Sequence, residues 1–248
     1  MADELHVATL NLRNIADRWG ERLPLLLADM AVLQPDLIGL QECVFAAQQD
    51  RILGAAGEGR YASRRGWANR PEYGNAILGR EPLVLGEGDR LELRRGRSAL
   101  RVPVSLPSGT TLDFVVTHLH HEIDDAAVRA EQSTAVIAWL GSFSGPLVVV
   151  GDFNADPTEP TYGIMLDAGF RSAAVEANGA EPPVTWPSGI QAPGMDVDGE
   201  PSCLDYIWLR GPITADSCRL AFDRPAVDDP TLFPSDHFGL SARVRISG

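Results

Sequence analysis

Val148-Val149-Val150-Gly151-Asp152-Phe153-Asn154 reads as a short continuous apolar strand that runs straight into a polar tip. Asp152 and Asn154 are two positions apart, so in extended backbone their side chains leave the same face. A carboxylate and an amide so placed suit the task of holding a nucleophile beside a phosphoryl oxygen. An aspartate at a strand end also serves as a turn or cap residue, and the motif by itself leaves both readings open.

The same pattern recurs on either side. Leu37–Leu40 runs into Gln41-Glu42, where a carboxylate after a buried strand is a ligand for a hard cation or a cap for the next helix. Thr117-His118-Leu119-His120-His121 follows another apolar run. If that strand continues, His118 and His120 share a face and His121 opposes them. No cysteine or spaced carboxylate completes a zinc set there. Leu204-Asp205-Tyr206-Ile207 places an aspartate among apolar neighbours, and a buried aspartate needs a partner. The histidine of Pro234-Ser235-Asp236-His237 is the candidate. Such pairing would orient the imidazole and raise its basicity; a turn with a structural hydrogen bond is the alternative.

Between these tips, the spacing of apolar residues predicts a strand at Leu5–Leu10 and a helix carrying Leu23, Leu26, Leu27, Met30 and Leu33, with Pro24 in its first turn. Val44–Leu53 reads as helical, successive strands fill Tyr73–Leu119, and Asp124 is placed to cap a helix reaching about Leu140. A helix over Thr158–Ala168 ends at Gly169, and three strands follow between Leu204 and Ile246. Strands with helices inserted along the way, in both halves, predict a two-sheet core with helices outside. Two long loops, 176–202 and 223–236, end at the Asp205 and Asp236-His237 motifs, as functional loops often do.

Composition narrows the function. The 248 residues are 44% hydrophobic, enough for a large core and unlike a disordered chain. The 21 basic residues, all arginine, face 34 acidic ones, a net charge of −13 that argues against tight non-specific duplex binding. Positions 51–101 reverse the balance, with 11 arginines against 6 acidic residues. That segment is a solvated surface or a basic rim for an anionic substrate. Three cysteines without a C-x-x-C pair exclude a disulfide framework and a structural zinc site. The first residues carry neither a basic nor an apolar leader pattern, and no apolar run approaches a membrane span, so a cytoplasmic protein is expected.

Taken in chain order, Thr9-Leu10-Asn11, Gly39-Leu40-Gln41-Glu42, Asn75-Ala76-Ile77-Leu78, Thr117-His118-Leu119, Gly151-Asp152-Phe153-Asn154, Leu204-Asp205-Tyr206-Ile207 and Ser235-Asp236-His237 resemble the endonuclease/exonuclease/phosphatase superfamily over essentially the whole chain. The resemblance implies one catalytic domain, residues 1–248, built as a four-layered α/β sandwich: two mainly antiparallel packed sheets with helices on the outer faces. It implies a Mg²⁺-dependent phosphoester hydrolase, with Mn²⁺ as a possible substitute. Glu42 would be the main metal ligand, with Asn11 beside it and Asp236 completing the site. Asp152 would orient and deprotonate the attacking water, and Asn154 would hold that water or a phosphoryl oxygen. His237, paired with Asp205, would bind the phosphate, with His118 nearby.

Looser matches suggest Arg80, His120, Trp186 and Arg129 as substrate contacts, with Arg129 and Gln132 resembling an Arg-x-x-Gln that supports the site in bacterial members. Arg13 stands two positions after Asn11 where an acidic residue would supply a second-metal ligand. The expected partner is a phosphoester: a small molecule, a lipid headgroup or a nucleic acid. The net −13 favours a small anionic substrate; the run Arg60-Tyr61-Ala62-Ser63-Arg64-Arg65-Gly66-Trp67 favours a nuclease that grips single strands by charge and stacking. A catalytically dead binding module would have lost key residues, and none is lost. The choice of substrate is expected to lie in loops 55–72, 120–125, 178–202 and 223–236. No protein partner is implied.

Overall fold

The computed structural model describes residues 3–56, 60–141, 145–195 and 199–247. Parts of two loops expected to choose the substrate, 57–59 and 196–198, therefore lie outside the described residues, as do Met1 and Ala2. The first half of the chain comprises β1 (Asp3–Asn11), α1 (Trp19–Leu33), β2 (Leu37–Val44), α2 (Gln49–Ala56), β3 (Tyr61–Arg70), β4 (Tyr73–Arg80), β5 (Val84–Leu85), β6 (Asp89–Leu93) and β7 (Arg97–Ser105). The second comprises β8 (Thr111–His118), α3 (Ala126–Leu140), β9 (Leu147–Asp152), α4 (Pro160–Asp167), β10 (Arg171–Ser172), α5 (Ala173–Asn178), β11 (Asp205–Arg210), β12 (Ile213–Ala221) and β13 (Gly239–Ile246).

One sheet runs β12-β13-β1-β2-β4-β3, and the other runs β10-β11-β9-β8-β7-β5 with β6 also on β7. Both are mixed. β1 with β2, and β8 with β9, pair in parallel, and their neighbours pair antiparallel. Each parallel pair is joined by a crossover helix, α1 in one sheet and α3 in the other, as parallel pairing requires. The carboxyl ends of β1, β2, β8 and β9 carry Asn11, Glu42, His118 and Asp152, and the hydrogen bond between Asn11 and Asp152 brings the two sets together.

Three apolar layers explain the near-continuous hydrophobic strands. Val148 and Val150 point between the sheets, against Val7, Leu37 and Val116. Leu147 and Val149 point outward, beneath Val136 and Leu140 of α3 and Met165 of α4. On the other side, Leu10, Ile38 and Leu78 lie beneath Leu26 and Met30 of α1. A strand covered on both faces loses the polar alternation of a half-exposed one. The order helix, sheet, sheet, helix is the expected four-layered sandwich. The sheets approach closely at Gly39, where an added Cβ would stand 2.4 Å from a Val150 methyl.

Four local expectations are corrected. α1 begins at Trp19, so Pro24 sits past its first turn. Arg22, buried on the face of α1 that also carries Leu26 and Met30, donates to six backbone carbonyls and ties that start to the preceding loop, a tertiary contact that outweighs the proline signal. The stretch after Leu40 stays extended to Val44 and becomes helical only at Gln49, because β4 pairs with it past a bulge. Residues 61–70 form the edge strand β3, not a loop. α3 is preceded by Asp125, whose carboxylate bonds His120 instead of capping the helix.

Candidate active site

The tip of β9 is shaped by Gly151. Its φ is +147°, and an added Cβ would lie 2.0 Å from the Thr117 carbonyl oxygen, so only glycine lets β9 follow β8 to its end. That register sets Asp152 beside His118 on one side and beside Asp205 of β11 on the other.

Asp152 is buried, and donors surround it. Oδ1 accepts the Asn154 backbone N–H at 2.9 Å, and Oδ2 accepts the Asn11 side-chain amide at 2.9 Å. Around the same Oδ2 stand His118 Nε2 at 3.4 Å and His237 Nε2 at 3.7 Å. Burial pushes this carboxyl up, to about 6, against the pull of His237 and the amide donors. His237 donates from Nδ1 to Asp205 Oδ2 at 2.9 Å, the pairing expected from the sequence. Burial opposes charge on His237, but the carboxylates of Asp205, Asp152 and Asp236 more than offset it and raise the imidazole to about 10. Ligand-type atoms of Asp152, Asp205 and His237 lie within 4.8 Å of one another. With a carboxylate on either side of the imidazole, this trio can handle protons, and its ligand atoms are also close enough together to hold a cation.

Asn154 departs from the extended premise. It is left-handed, with φ +49°, and its side-chain amide donates to the Leu119 carbonyl at 3.1 Å. It therefore anchors the β9 tip to the end of β8 as well as bracing Asp152.

A second, oxygen-rich region adjoins the first. Glu42 stands past the β2 bulge, half-buried, with Oε2 accepting from Asn14 at 2.8 Å. Asn11 Oδ1 accepts the Arg13 backbone N–H at 2.9 Å, and the Arg13 guanidinium lies 3.6 Å from the buried Asp236. Burial opposes the charge on Arg13, but Asp236, Asp17 and Glu42 outweigh it and hold it above its ordinary value. Arg22 fastens the main chain of this region, joining carbonyls of Leu12 through Asp17 to that of Pro234. The donors of Glu42, Asn11 and Asp236 are all hard oxygens, the set Mg²⁺ prefers.

Glu42 and His118 line a cleft with Tyr73, Asn75, Arg97 and Ser98. Arg97 is a site residue that the motifs did not flag. Its guanidinium donates to His118 Nδ1 at 3.0 Å and to His121 Nδ1 at 2.9 Å. The available signal was its place in the arginine-rich segment, at the head of the strand whose Ser98 pairs with His118. Burial, followed by Arg97, keeps His118 well below the ordinary histidine value, so it is neutral. The expectation that His118 and His120 share a face fails, because β8 ends at His118. Arg97 gathers His118 and His121, while His120 turns to Asp125 at 2.9 Å.

The remaining expected substrate contacts are not gathered at Asp152. Arg80 ends β4 at the opposite end of the sheet, beside the start of β2, and is paired with Asp36. Arg129 is buried, bidentate to Glu159 at 2.9 Å, and donates to the carbonyls of Glu122 and Ile123. Gln132 bonds the His120 N–H and the Arg94 carbonyl, so both residues of the Arg-x-x-Gln brace the 120–125 loop from behind. His120 lines a surface cavity with Arg95, Glu122, Ile123, Asp124 and Asp125. Trp186 is half-buried in a bridge with Ser202 and packs against Gly199, near Ile123. In the Arg60–Trp67 run, Arg64 bonds the Leu85 and Gly86 carbonyls and Arg65 pairs with Asp50, leaving Trp67, half exposed, with Arg90 stacked 4.3 Å over its ring.

The model of the endonuclease/exonuclease/phosphatase family matches residues 8–237. The chain is 28% identical to nocturnin of Xenopus laevis over 90% of its own length and 64% of that protein's. It thus spans less than two thirds of the curated relatives it matches. An endonuclease/exonuclease/phosphatase family protein of Bacteroides thetaiotaomicron superposes with a TM-score of 0.81 at 20% identity, covering 100% of this chain and 96% of that one. D. rerio TDP2 in complex with a single-strand DNA product superposes at 0.79 with 19% identity, covering 98% and 99%. Among the described residues no helix is long and apolar enough to cross a membrane.

Proposed function

The chain belongs to the endonuclease/exonuclease/phosphatase family and is by that membership a phosphoric ester hydrolase, and we propose that it works by attack on phosphorus of a water activated by Asp152. One observation carries the reading: a buried carboxylate with a pKa near 6 is ringed by Asn11, His118 and an Asp205-paired His237. A base poised near the working pH is most effective. The water oxygen forms the new bond to phosphorus as its proton passes to Asp152. The bond to the leaving oxygen then breaks, and that oxygen takes a proton from solvent. The cationic His237 and the Nε2–H of His118 meet the charge that builds on the phosphoryl oxygens. Asn154 holds the water through its amide oxygen while its backbone keeps Asp152 oriented.

Glu42, Asn11 and Asp236 would hold a Mg²⁺ ion, replaceable by Mn²⁺, which supplies charge stabilisation at the phosphoryl and leaving oxygens. Arg13, occupying the place of a further carboxylate beside Asp236, favours one ion over two. For the substrate, the net charge of −13 favours a small or single anionic phosphoester as the partner. A single-stranded nucleic acid is the second reading, supported by the exposed Trp67–Arg90 stack. We place the protein in the cytoplasm on the same footing, since Cys43, Cys203 and Cys218 are all buried and unpaired.

A panel of phosphomonoesters, phosphodiesters and DNA and RNA oligonucleotides with Mg²⁺, Mn²⁺ or EDTA tests the proposal. Turnover that EDTA abolishes and that His237→Ala cripples is expected. Absence of turnover on every substrate would sink it. Oligonucleotide cleavage that weakens with salt would select the second reading.

A further inference from the structure

We propose that Arg97 is a positioning residue: it locks His118 as the neutral tautomer that carries its proton on Nε2, so that this N–H faces Asp152 and the reacting phosphoryl oxygen. The inference rests on the phosphoester-hydrolase reading of the site, and deepens it.

A guanidinium has donors and no acceptor. With Arg97 Nη1 3.0 Å from His118 Nδ1, that ring nitrogen must offer a lone pair. The one proton of a neutral imidazole then sits on Nε2. The other tautomer would set N–H against N–H and leave a buried donor unsatisfied. The same logic applies to His121, whose Nδ1 lies 2.9 Å from Nη2 of the same guanidinium. Arg97 therefore spends both terminal nitrogens on histidines, and among the described residues no carboxylate pairs with it. The antiparallel ladder holds this geometry, since Ser98 pairs with His118 and Leu100 with Val116.

The consequence appears on the other side of the ring. His118 Nε2 stands 3.4 Å from Asp152 Oδ2, beyond an ordinary hydrogen bond. Asp152 already has its close donors, Asn11 and the Asn154 backbone, at 2.9 Å each. The His118 N–H is thus aimed into the site without being committed there, and it can donate to a phosphoryl oxygen. Without Arg97, the ring would be free to flip or exchange its proton, and the donor would face the site only part of the time.

Long-range ¹H–¹⁵N correlation spectra of the histidine rings test this on the whole protein, before any substrate is known. In the wild type, His118 should show an unprotonated Nδ1 and a protonated Nε2. Arg97→Gln, whose amide can still donate to Nδ1, should keep that pattern, and Arg97→Met should show both tautomers. On a substrate from the panel, Arg97→Met should lower kcat roughly tenfold with KM changed less than about twofold, as expected for a lost charge-assisted hydrogen bond that acts on the reacting group. Arg97→Gln should recover most of that loss. A wild-type His118 protonated on Nδ1 would overturn the inference even where the enzyme turns over. An Arg97→Met spectrum identical to wild type would also overturn it. The predicted spectra without turnover of any phosphoester would leave the tautomer lock standing and remove the hydrolase reading instead.

Discussion

The two ends of the sandwich use the same residue types to opposite effect. At the amino-terminal ends of β1 and β2, Asp36 accepts the His6 backbone N–H at 2.7 Å and pairs with Arg80 from the end of β4. Burial and then Arg243 hold His6 down to about 4, so it is neutral in the fold. At the other end of the sandwich, Asp152 at the tip of β9 and Asp205 at the start of β11 flank a histidine raised to about 10, beside the cleft that Glu42 and Arg97 line. A histidine held neutral among arginines stabilises the fold, whereas one held charged between carboxylates is poised to meet an anion. Identical side chains differ in role because the sheets bring carboxylates together at one end and pair each with a cation at the other.

That contrast breaks most visibly if the charged histidine loses its partner. Asp205→Asn should keep the fold and lower kcat by roughly 10⁴-fold, as loss of an orienting carboxylate does elsewhere; steady-state turnover with a melting curve checks both parts. An unchanged rate would mean that the pair is structural, like the far end.

Arg22 sharpens the comparison next. It is fully buried with six carbonyls and, among the described residues, no carboxylate, where Arg80 has Asp36. Arg22→Met should cost on the order of 3 kcal/mol by stranding those carbonyls, visible as a lower denaturant midpoint, with activity falling as the 12–17 loop loosens. Arg80→Met, by contrast, should leave kcat and KM unchanged and cost at most about 1 kcal/mol, because the pair is partly exposed. A raised KM in that variant would restore Arg80 as a substrate contact.

The smallest effect is a pH dependence at the far end. His6 faces Arg243, Asp36, Arg219 and Arg80. Its folded pKa is depressed, so the unfolded chain takes up the proton first. The stability contributed by a neutral His6 is complete above about 6.5 and declines as pH falls toward about 4. His6→Gln should flatten the fall of the melting temperature across that window relative to wild type, and parallel curves would reject the assignment.

Most of this contrast was legible in the motif order, and the reason is physical. Strand tips that carry Asn11, Glu42 and Asp152 follow apolar runs while Asp205 opens one, and two of those runs are covered on both faces, so the pattern announces both the sheet and its polar end. The Asp205–His237 pair followed from the cost of an unpartnered buried carboxylate. Arg80 was expected as a substrate contact from its closeness to a motif, but closeness in sequence says nothing about which end of a strand a residue occupies: Asn75 lies near the start of β4, and Arg80 ends it beside Asp36. Arg129 was expected to contact substrate, but it is buried against Glu159, a contact thirty positions away. Arg97 and Arg22 went unread because a guanidinium that binds ring nitrogens or carbonyls needs no partner of opposite charge, and charge pattern alone cannot announce it. The edge strand β3 was hidden by its arginines, whose heads reach carbonyls and Asp50.

The account turns on Asp152, and the most direct measurement is the turnover number of Asp152→Asn on a phosphoester that the wild type hydrolyses with Mg²⁺. An amide keeps the size and one of the two accepted hydrogen bonds, from the Asn154 backbone N–H or from Asn11, but cannot take the water's proton. A loss of at least about 10³-fold, with a cooperative melting transition retained, is predicted from the usual contribution of a general base. Turnover within tenfold of wild type would contradict the assignment of Asp152 as the water-activating base.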